Sequence, residues 1–277
     1  MRLCPLCTPA ILTGYGGSRC LPGMSKIYFV GGEKGGVGKS VVARLLAQWC
    51  VDRSAPFAAI DADASHGSLL RSYGEFTQAV DLETFASADE IVNRALAAER
   101  TVVVDLPAQS GRALERWIDS ADVVRFAHEA GVGLTLWHVS DGTFDSVRDL
   151  ERTLDRWADA FHYVAVKNHG RAKDFSLFDE SDGRRRVEHM GGRVIDLPEL
   201  DGAAMARIDR NGASFWSAIH DGAGAHVLAP LQRQRTRLWL GRCYSAFGSV
   251  VEVPGERRDA TGSSLAAESY GLNDSAN

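Results

Sequence analysis

The chain has 277 residues, of which 45% are apolar, and it carries a formal net charge of −5 at pH 7. This length is ample for one sizeable core, and the negative charge excludes a protein that binds polyanions over its whole surface. The five cysteines are few and odd in number, which favours a reducing compartment over a disulfide framework. No apolar run reaches the roughly 18 to 20 residues that span a bilayer, so we expect a soluble, cytoplasmic protein.

The two ends of the chain differ from its middle. Residues 1–23 have neither a continuous apolar stretch nor helical periodicity, and Met24 leads directly into an apolar run. We therefore predict that 1–23 is a non-native or unstructured extension. Residues 246–277 are small, polar and unpatterned, which is typical of a disordered tail. The folded domain is predicted to occupy 24–245.

Short apolar runs alternate with helical patterns along the middle of the chain, as in βα units around a parallel sheet. Helical spacing is clear from Val41 to Trp49 and over 145–161. We predict an α/β fold with a mainly parallel sheet flanked by helices, whose ligands bind at the carboxyl ends of the strands. The predicted strands are KIYFV (26–30), FAAID (57–61), TVVVD (101–105), GLTLWHV (133–139), YVAVKN (163–168) and RVIDL (193–197).

A glycine-rich loop, FVGGEKGGVGKS, joins the first predicted strand to the first predicted helix. Gly35, Gly36 and Gly38 permit the backbone to curl its amides toward an anion. Lys39 can reach the β- and γ-phosphates of a nucleotide, and Ser40 can place its hydroxyl on Mg²⁺. The strand before and the helix after make this segment a predicted phosphate site.

Two residues of the loop depart from the generic phosphate-binding pattern. Glu33 stands where that pattern has its first glycine. Lys34 is a second lysine, for which a single phosphate site has no use.

Three other predicted strands also end in polar residues. Asp61 and Asp63 are two positions apart, so their side chains lie on the same face of an extended chain. There they can organise Mg²⁺ waters and an attacking water, or they simply form a turn. Asp105 closes an apolar strand, as a carboxylate that meets a metal through water must. Asn168 either pairs with a purine edge or closes a turn.

The segment KGGVGKS (34–40) resembles the deviant Walker A signature, K-G-G-x-G-K-[ST], of the ATPases that include ParA, MinD and the nitrogenase iron protein. The resemblance covers about residues 24–220. The matching positions outside the loop are Asp61, Asp63, Asp105, Pro107, Asn168 and Pro198. It implies a P-loop NTPase fold of the ParA/MinD type.

The resemblance also implies roles for single residues and two cofactors, ATP and Mg²⁺. Lys34 would cross a dimer interface to the phosphates of the partner's ATP, Lys39 would hold its own nucleotide, and Asp63 would orient water. The residues implied to bind nucleotide are Gly35, Gly36, Val37, Gly38, Lys39, Ser40, Val41, Asn168 and Pro198. Those implied to hold Mg²⁺ are Ser40, Asp61 and Asp105.

Two departures from the family pattern qualify this assignment. Glu33 brings a negative charge toward phosphates, so we expect it to point away or to pair with Lys34 or an arginine, and the hydrolysis rate stays open. DADASHG (61–67) lacks the D-x-D-P-Q continuation of many partition proteins. The extended pattern looks more like the ATPases encoded with plasmid stabilisation and conjugative mobilisation genes.

Two basic stretches have alternative interpretations. GRRR (183–186) is either a solvated loop of mixed charge, which we favour, or a contact to DNA phosphates. The stretch 231–247 is either the last helix of the fold, which we favour, or a helix that lies on an anionic membrane. His138 is predicted to be a core residue, or one that supports the residues of the site, rather than a catalyst.

Together these patterns predict a nucleotide-gated dimeric switch that binds ATP and hydrolyses it slowly with Mg²⁺. Such a switch would serve plasmid maintenance, mobilisation or intracellular positioning, with a protein partner or cargo that the sequence does not name. One alternative is an ATP-binding assembly scaffold with negligible turnover. Another is a P-loop metabolic kinase or ligase, which would need no dimer.

Overall fold

The structure is a computed structural model and describes residues 25–63, 67–220 and 228–251. Within these ranges seven parallel strands form one sheet in the order β3-β2-β4-β1-β5-β6-β7. The predicted α/β fold with a parallel sheet is thus confirmed. The strands are β1 (Lys26–Gly31), β2 (Phe57–Asp61), β3 (Thr77–Ala79), β4 (Thr101–Asp105), β5 (Gly133–Ser140), β6 (His162–Asn168) and β7 (Arg193–Leu197).

Helices cover both faces of the sheet and create a core on each. Alternation along β1 sends Ile27 and Phe29 into one core and Tyr28 and Val30 into the other. The helices are α1 (Lys39–Asp52), α2 (Ser68–Tyr73), α3 (Phe85–Ala88), α4 (Glu90–Ala97), α5 (Gly111–Ser120), α6 (Val123–Glu129), α7 (Phe144–Trp157), α8 (Ser176–Asp179), α9 (Asp182–His189), α10 (Gly202–Arg210), α11 (Phe215–Ile219) and α12 (Pro230–Phe247).

The carboxyl ends of the strands meet at one edge of the sheet. β4 and β5 lie on opposite sides of β1, so the order in which strands are added to the sheet reverses there. Sheets of this kind bind ligands at such a point. In register, Val30 pairs with Asp105 and Gly31 pairs with His138. Asp61 pairs with Asp105 on the other side of β4. The register therefore brings the predicted carboxylates next to the glycine-rich loop.

The expectation of a loop at 183–186 is wrong, because these residues lie in α9. Their arginines are paired: Arg184 with Glu188, Arg185 with Asp182, and Arg186 with Asp155. Gly183 and Val187 are the buried positions of this helix, so its sequence carries almost no apolar stripe.

The helix at the end of the described chain packs on the sheet, as favoured from the sequence. Trp239, Leu240, Cys243 and Phe247 of α12 are buried. Val251 is also buried, so packing extends past the predicted domain boundary at 245. The rest of the predicted tail, like the predicted extension 1–23, lies outside the described residues. No helix in the described ranges is both long enough and apolar enough to cross a membrane.

Candidate nucleotide-binding site

The loop between β1 and α1 closes on a glycine that any side chain would strain. Gly38 has a φ of 103°, and a Cβ at this position would lie 2.3 Å from Nδ2 of Asn168. α1 begins at Lys39, and the N–H groups of Val41 and Val42 donate to the Gly38 carbonyl at 3.1 and 3.2 Å. The first N–H groups of a helix point out of its start, and Gly38 has no side chain to accept from them. Such a helix start can bind an anion.

Lys39 lies inside this loop rather than on its surface. The residue is 7% exposed, and its Nζ donates to the carbonyl of Lys34 at 2.8 Å. Burial lowers the pKa of the Lys39 amine, whereas the charges of Asp105 and Asp149 act in the opposite direction. An anion such as a phosphate in the loop would favour the charged amine further.

Asp105 is a fully buried carboxylate at the end of β4. Among the described residues, neither of its oxygens has a hydrogen-bond partner. Burial raises the pKa of Asp105 to about 7, although the nearby Ser40 hydroxyl acts to lower it. Ser40 is thus close enough to influence the carboxylate without a hydrogen bond of normal geometry. Such a buried, unpartnered carboxylate calls for a cation or a proton.

The donor set at this point fits Mg²⁺ bound together with phosphate oxygens. The described ranges contain no group of three His, Cys, Asp or Glu side chains arranged to hold a metal. Mg²⁺ does not require one, because it takes one or two protein oxygens and completes its shell with water and phosphate. Ser40 and Asp105 supply one hydroxyl and one carboxylate.

Asp61 is held by backbone amides at the start of α2. Its Oδ2 accepts from the N–H groups of Leu69 and Leu70, both at 2.9 Å, and its Oδ1 accepts from that of Asp63 at 3.1 Å. This is the turn-forming alternative for the carboxylate. Asp63 is half-buried, and its charge acts on the pKa of both Lys39 and Asp105. Asp61 and Asp63 therefore both lie at the edge of the site, but backbone N–H groups hold Asp61, whereas Asp63 acts on Lys39 and Asp105 through its charge.

Asn168 contacts the glycine-rich loop itself. Its Nδ2 donates to the Val37 carbonyl at 2.7 Å, and its Oδ1 accepts from the N–H of Gly170 at 3.0 Å. Pro198, the other residue implied to contact adenine, follows β7 and accepts from Nε1 of Trp239 at 2.7 Å. Both residues are at the correct edge of the sheet, and the observed bonds of Asn168 hold the loop.

Lys34 points away from the loop and toward the segment that follows β5. Its Nζ lies 2.6 Å from Oδ2 of Asp141 and 2.7 Å from Oγ1 of Thr143. Burial raises the pKa of Asp141, but the hydrogen bonds from Lys34 and Thr143 outweigh it and hold this pKa below its usual value. The two lysines of the loop thus have separate surroundings.

Of the two arrangements expected for Glu33, to point away or to pair with Lys34 or an arginine, the pairing is not found among the described residues. Oε1 of Glu33 accepts from the backbone N–H of Gly111, the first residue of α5, at 2.7 Å. Lys34 is engaged by Asp141, so the first amide of α5 is the donor that Glu33 meets.

Sequence reasoning missed a buried polar pair behind the loop. Oδ2 of Asp149 accepts from the N–H of Glu33 at 2.6 Å and lies 3.9 Å from Nδ1 of His138. His138 is buried as predicted, and its Nε2 donates to the Ser146 carbonyl at 3.0 Å. The signal for Asp149 was its place on the buried stripe of α7, where a carboxylate needs a partner.

Comparison with known proteins gives one sequence relative and several structural neighbours. No protein-family model matches the chain. Protein MobD of Acidithiobacillus ferrooxidans is 28% identical over 179 residues, which are 63% of this chain and 78% of the relative.

Among solved structures, the MinD cell division protein of Aquifex aeolicus is 15% identical with a TM-score of 0.45, over 84% of this chain and 100% of that one. A ParA family ATPase of Chlorobium tepidum is 12% identical with a TM-score of 0.47, over 79% and 98%. A nucleotide-binding protein of Archaeoglobus fulgidus in complex with ADP is 18% identical with a TM-score of 0.46, over 70% and 88%.

These likenesses are too distant to carry any conclusion about activity. The fold and the loop stand on the chain's own features: a parallel sheet centred on β1, a glycine-rich loop before α1, and Asp105 on the neighbouring strand. The chain has an α/β fold with a parallel sheet and a glycine-rich loop after β1, and the sequence of that loop is similar to that of the ParA/MinD-type ATPases.

Proposed function

We propose that this chain binds ATP in the loop between β1 and α1, hydrolyses it slowly, and uses the γ-phosphate to gate the association of two copies. The observation that carries the proposal is the unpartnered carboxylate of Asp105, buried beside Lys39 and Ser40 at an uncapped helix start. This arrangement supplies amides and a cation for phosphate oxygens together with oxygens for a divalent metal.

Each residue of the site has a distinct part in this proposal. The loop amides and Lys39 hold the phosphates, with Asn168 keeping the loop in shape through the Val37 carbonyl. Ser40 and Asp105 hold Mg²⁺, which when bound neutralises charge that develops on the phosphates. Asp63 orients the attacking water. Asp61 acts by fixing the start of α2, with its carboxylate engaged by amides.

Lys34 supplies the gate. In the single chain its amine is bound to Asp141 and Thr143, and it does not contribute to its own phosphate site. A γ-phosphate on a second copy gives this amine a stronger partner than the partly buried carboxylate of Asp141. Only a ligand with differential contacts can shift an equilibrium between monomer and dimer, and ADP lacks that phosphate.

The process that such a switch serves is proposed from resemblance. The similarity to Protein MobD and the extended loop pattern favour plasmid maintenance, mobilisation or positioning of a cargo. The partner or cargo would bind one nucleotide state of the dimer. The paired arginines of α9 give no support to a DNA contact there.

Light scattering on a hydrolysis-blocked Asp63→Ala protein tests the proposal. We expect ATP with Mg²⁺ to double the scattering mass and ADP with Mg²⁺ to leave the monomer unchanged. The nucleotide-free protein and an ATP titration without Mg²⁺ are the controls. A monomer that binds ATP but stays monomeric at saturation would remove the dimer gate and favour the kinase or ligase alternative. A chain that binds no nucleotide would remove the whole proposal.

A further inference from the structure

Glu33 connects the phosphate loop to the segment 107–111, which follows Asp105. The Glu33 carbonyl accepts from the N–H of Gln109 at 3.1 Å, and its side-chain Oε1 accepts from the N–H of Gly111 at 2.7 Å. Gln109 has a φ of 60°, a left-handed conformation that a residue with a side chain adopts at a cost. The hydrogen bonds to Glu33 therefore help to hold a strained turn that follows Asp105.

The backbone of Glu33 is also held from the opposite side. Its N–H donates to Oδ2 of Asp149 at 2.6 Å, and Asp149 belongs to α7. α7 follows the segment with Asp141 and Thr143, which hold Lys34. Glu33 thus forms hydrogen bonds with α5, which follows β4, and with α7, which follows β5, and these two strands flank β1. The next residue along the chain is Lys34.

The Glu33 side chain acts as a hydrogen-bond acceptor in surroundings that do not favour its charge. Although part of the residue is exposed, burial raises the pKa of the carboxyl, and the charges of Asp149 and Glu115 raise it further. The Gly111 hydrogen bond and the charge of Lys39 act in the opposite direction. The hydrogen bond from the Gly111 N–H is thus a specific reason for this side chain to lie at the start of α5.

We propose that Glu33 is a positioning residue that couples the segment after Asp105 to the phosphate loop, so that the metal side of the site and Lys34 respond to the γ-phosphate together. This inference rests on the proposed function. Its physical content is the Glu33 oxygen that accepts from the Gly111 N–H. Without this hydrogen bond, segment 107–111 can move independently of Lys34. Breaking the contact should impair turnover and ATP-dependent association but not the binding of ADP.

Two substitutions break the contact from opposite sides, and one preserves it. Glu33→Ala removes the acceptor. Gly111→Ala displaces the acceptor, because a Cβ there would lie 2.8 Å from Oε1 of Glu33. Glu33→Gln keeps an acceptor oxygen without the charge. Glu75→Gln, at an exposed glutamate, is the matched control for loss of charge.

The experiment measures kcat and KM for Mg-ATP, the Kd for Mg-ADP, and hydrogen exchange of 107–111 in the nucleotide-free proteins. For Glu33→Ala and Gly111→Ala we expect kcat to fall by about threefold to tenfold, as for the loss of an ordinary hydrogen bond, with faster exchange of 107–111. KM and the ADP Kd should change less than about threefold. Glu33→Gln should retain most of the turnover and the slow exchange. The double variant with Glu33→Ala and Gly111→Ala should have a kcat no lower than that of Glu33→Ala alone, because both substitutions break the same contact.

Two results would overturn the inference. If Glu33→Gln is as impaired as Glu33→Ala, the charge matters and the acceptor does not. If Glu33→Ala loses ADP affinity in step with kcat, Glu33 serves the nucleotide directly. Failure of the proposed function is separate: the wild-type chain would then show no ATP turnover, while the exchange of 107–111 would still report whether the coupling exists.

Discussion

The two halves of the phosphate loop are held by different kinds of contact. The half toward α1, residues 37–40, packs inward and is called the inward half. Its Lys39 is buried beside Asp105, and Asn168 donates to its Val37 carbonyl. The half toward β1, residues 33 and 34, lies nearer the surface and is called the outward half. Its Lys34 forms an ion pair with Asp141, and its Glu33 accepts from the first N–H of α5.

The difference teaches which half can act on a second molecule. Buried charges without a matching partner are costly, so the inward half gains most from a ligand of its own. Ion pairs that are partly exposed to solvent contribute little to stability and are easily exchanged, so the outward half can release Lys34 at small cost. In the proposed switch, the two lysines, five positions apart, therefore serve two different nucleotides.

The largest effect is expected for the buried carboxylate of the inward half, through Asp105→Asn. Burial in the folded chain raises the pKa of this carboxyl from its ordinary 3.8 to about 7. Between these values the folded state holds the extra proton. Its contribution to the free energy of unfolding is therefore fully present below pH 4 and falls by about 1.4 kcal/mol per pH unit up to pH 7. Thermal and urea denaturation of the nucleotide-free proteins should show this slope in the wild type and not in Asp105→Asn.

An exposed aspartate provides the control with the opposite sign. The pKa of Asp81 is lowered by hydrogen bonds from the Glu83 N–H and the Thr84 hydroxyl, so Asp81→Asn should lose stability at high pH instead. Equal pH slopes for the wild type and Asp105→Asn would contradict the account of the inward half.

The second prediction compares the two lysines directly. Lys39→Ala should weaken binding of Mg-ADP and Mg-ATP by about 1.5 to 3 kcal/mol, the range for a hydrogen bond to a charged group. Lys34→Ala should leave nucleotide binding by the monomer nearly intact and abolish ATP-dependent association. Nucleotide affinity and sedimentation are measured at one salt concentration, with Lys173→Ala as an exposed control. Equal loss of ATP binding in both variants would mean that Lys34 serves its own site.

Sequence patterns were sufficient where burial and periodicity agree. Six of the seven strands were predicted because they are apolar runs, whereas β3, with the sequence TQA, is too short and too polar to stand out. α9 was interpreted as a loop because two buried residues among arginines and acids give no visible stripe. The loop and Asp105 were found because each follows a buried strand.

The contacts that shape the outward half could not be read from the sequence. Glu33 meets Gly111 across 78 positions and Asp149 across 116, and local patterns do not specify such pairs. The charge of Glu33 suggested a basic partner, but a backbone N–H at a helix start is an equally good donor for a carboxylate. Only the three-dimensional arrangement decides between them.

A third and smaller effect concerns Asn168, which holds the inward half. Asn168→Ala removes the donor to the Val37 carbonyl and should weaken nucleotide binding by about 0.5 to 1.5 kcal/mol. If Asn168 acts through the loop, ATP and GTP should lose affinity equally. If it also contacts the base, the loss should be larger for ATP. Competition titrations with both nucleotides on the same protein measure the difference, and a loss confined to ATP would shift the role of Asn168 from the loop to the base.

The smallest effect is expected in the outward half, for the ion pair that holds Lys34. The side chains of Lys34 and Asp141 are 31% and 16% exposed, so the pair is partly screened by solvent. Asp141→Asn keeps a side chain of the same shape but removes the charge. We expect ATP-dependent association to strengthen by about 1.4-fold to fivefold, since an ion pair of about 0.2 to 1 kcal/mol no longer competes for the amine. Glu199→Gln, which breaks the exposed pair with Lys173, is the matched control and should have no effect. Sedimentation with Mg-ATP on the Asp63→Ala background, repeated at two salt concentrations, measures the change. Weaker association of Asp141→Asn would show that Asp141 aligns Lys34 for the partner, and the two halves of the loop would then differ less than their contacts indicate.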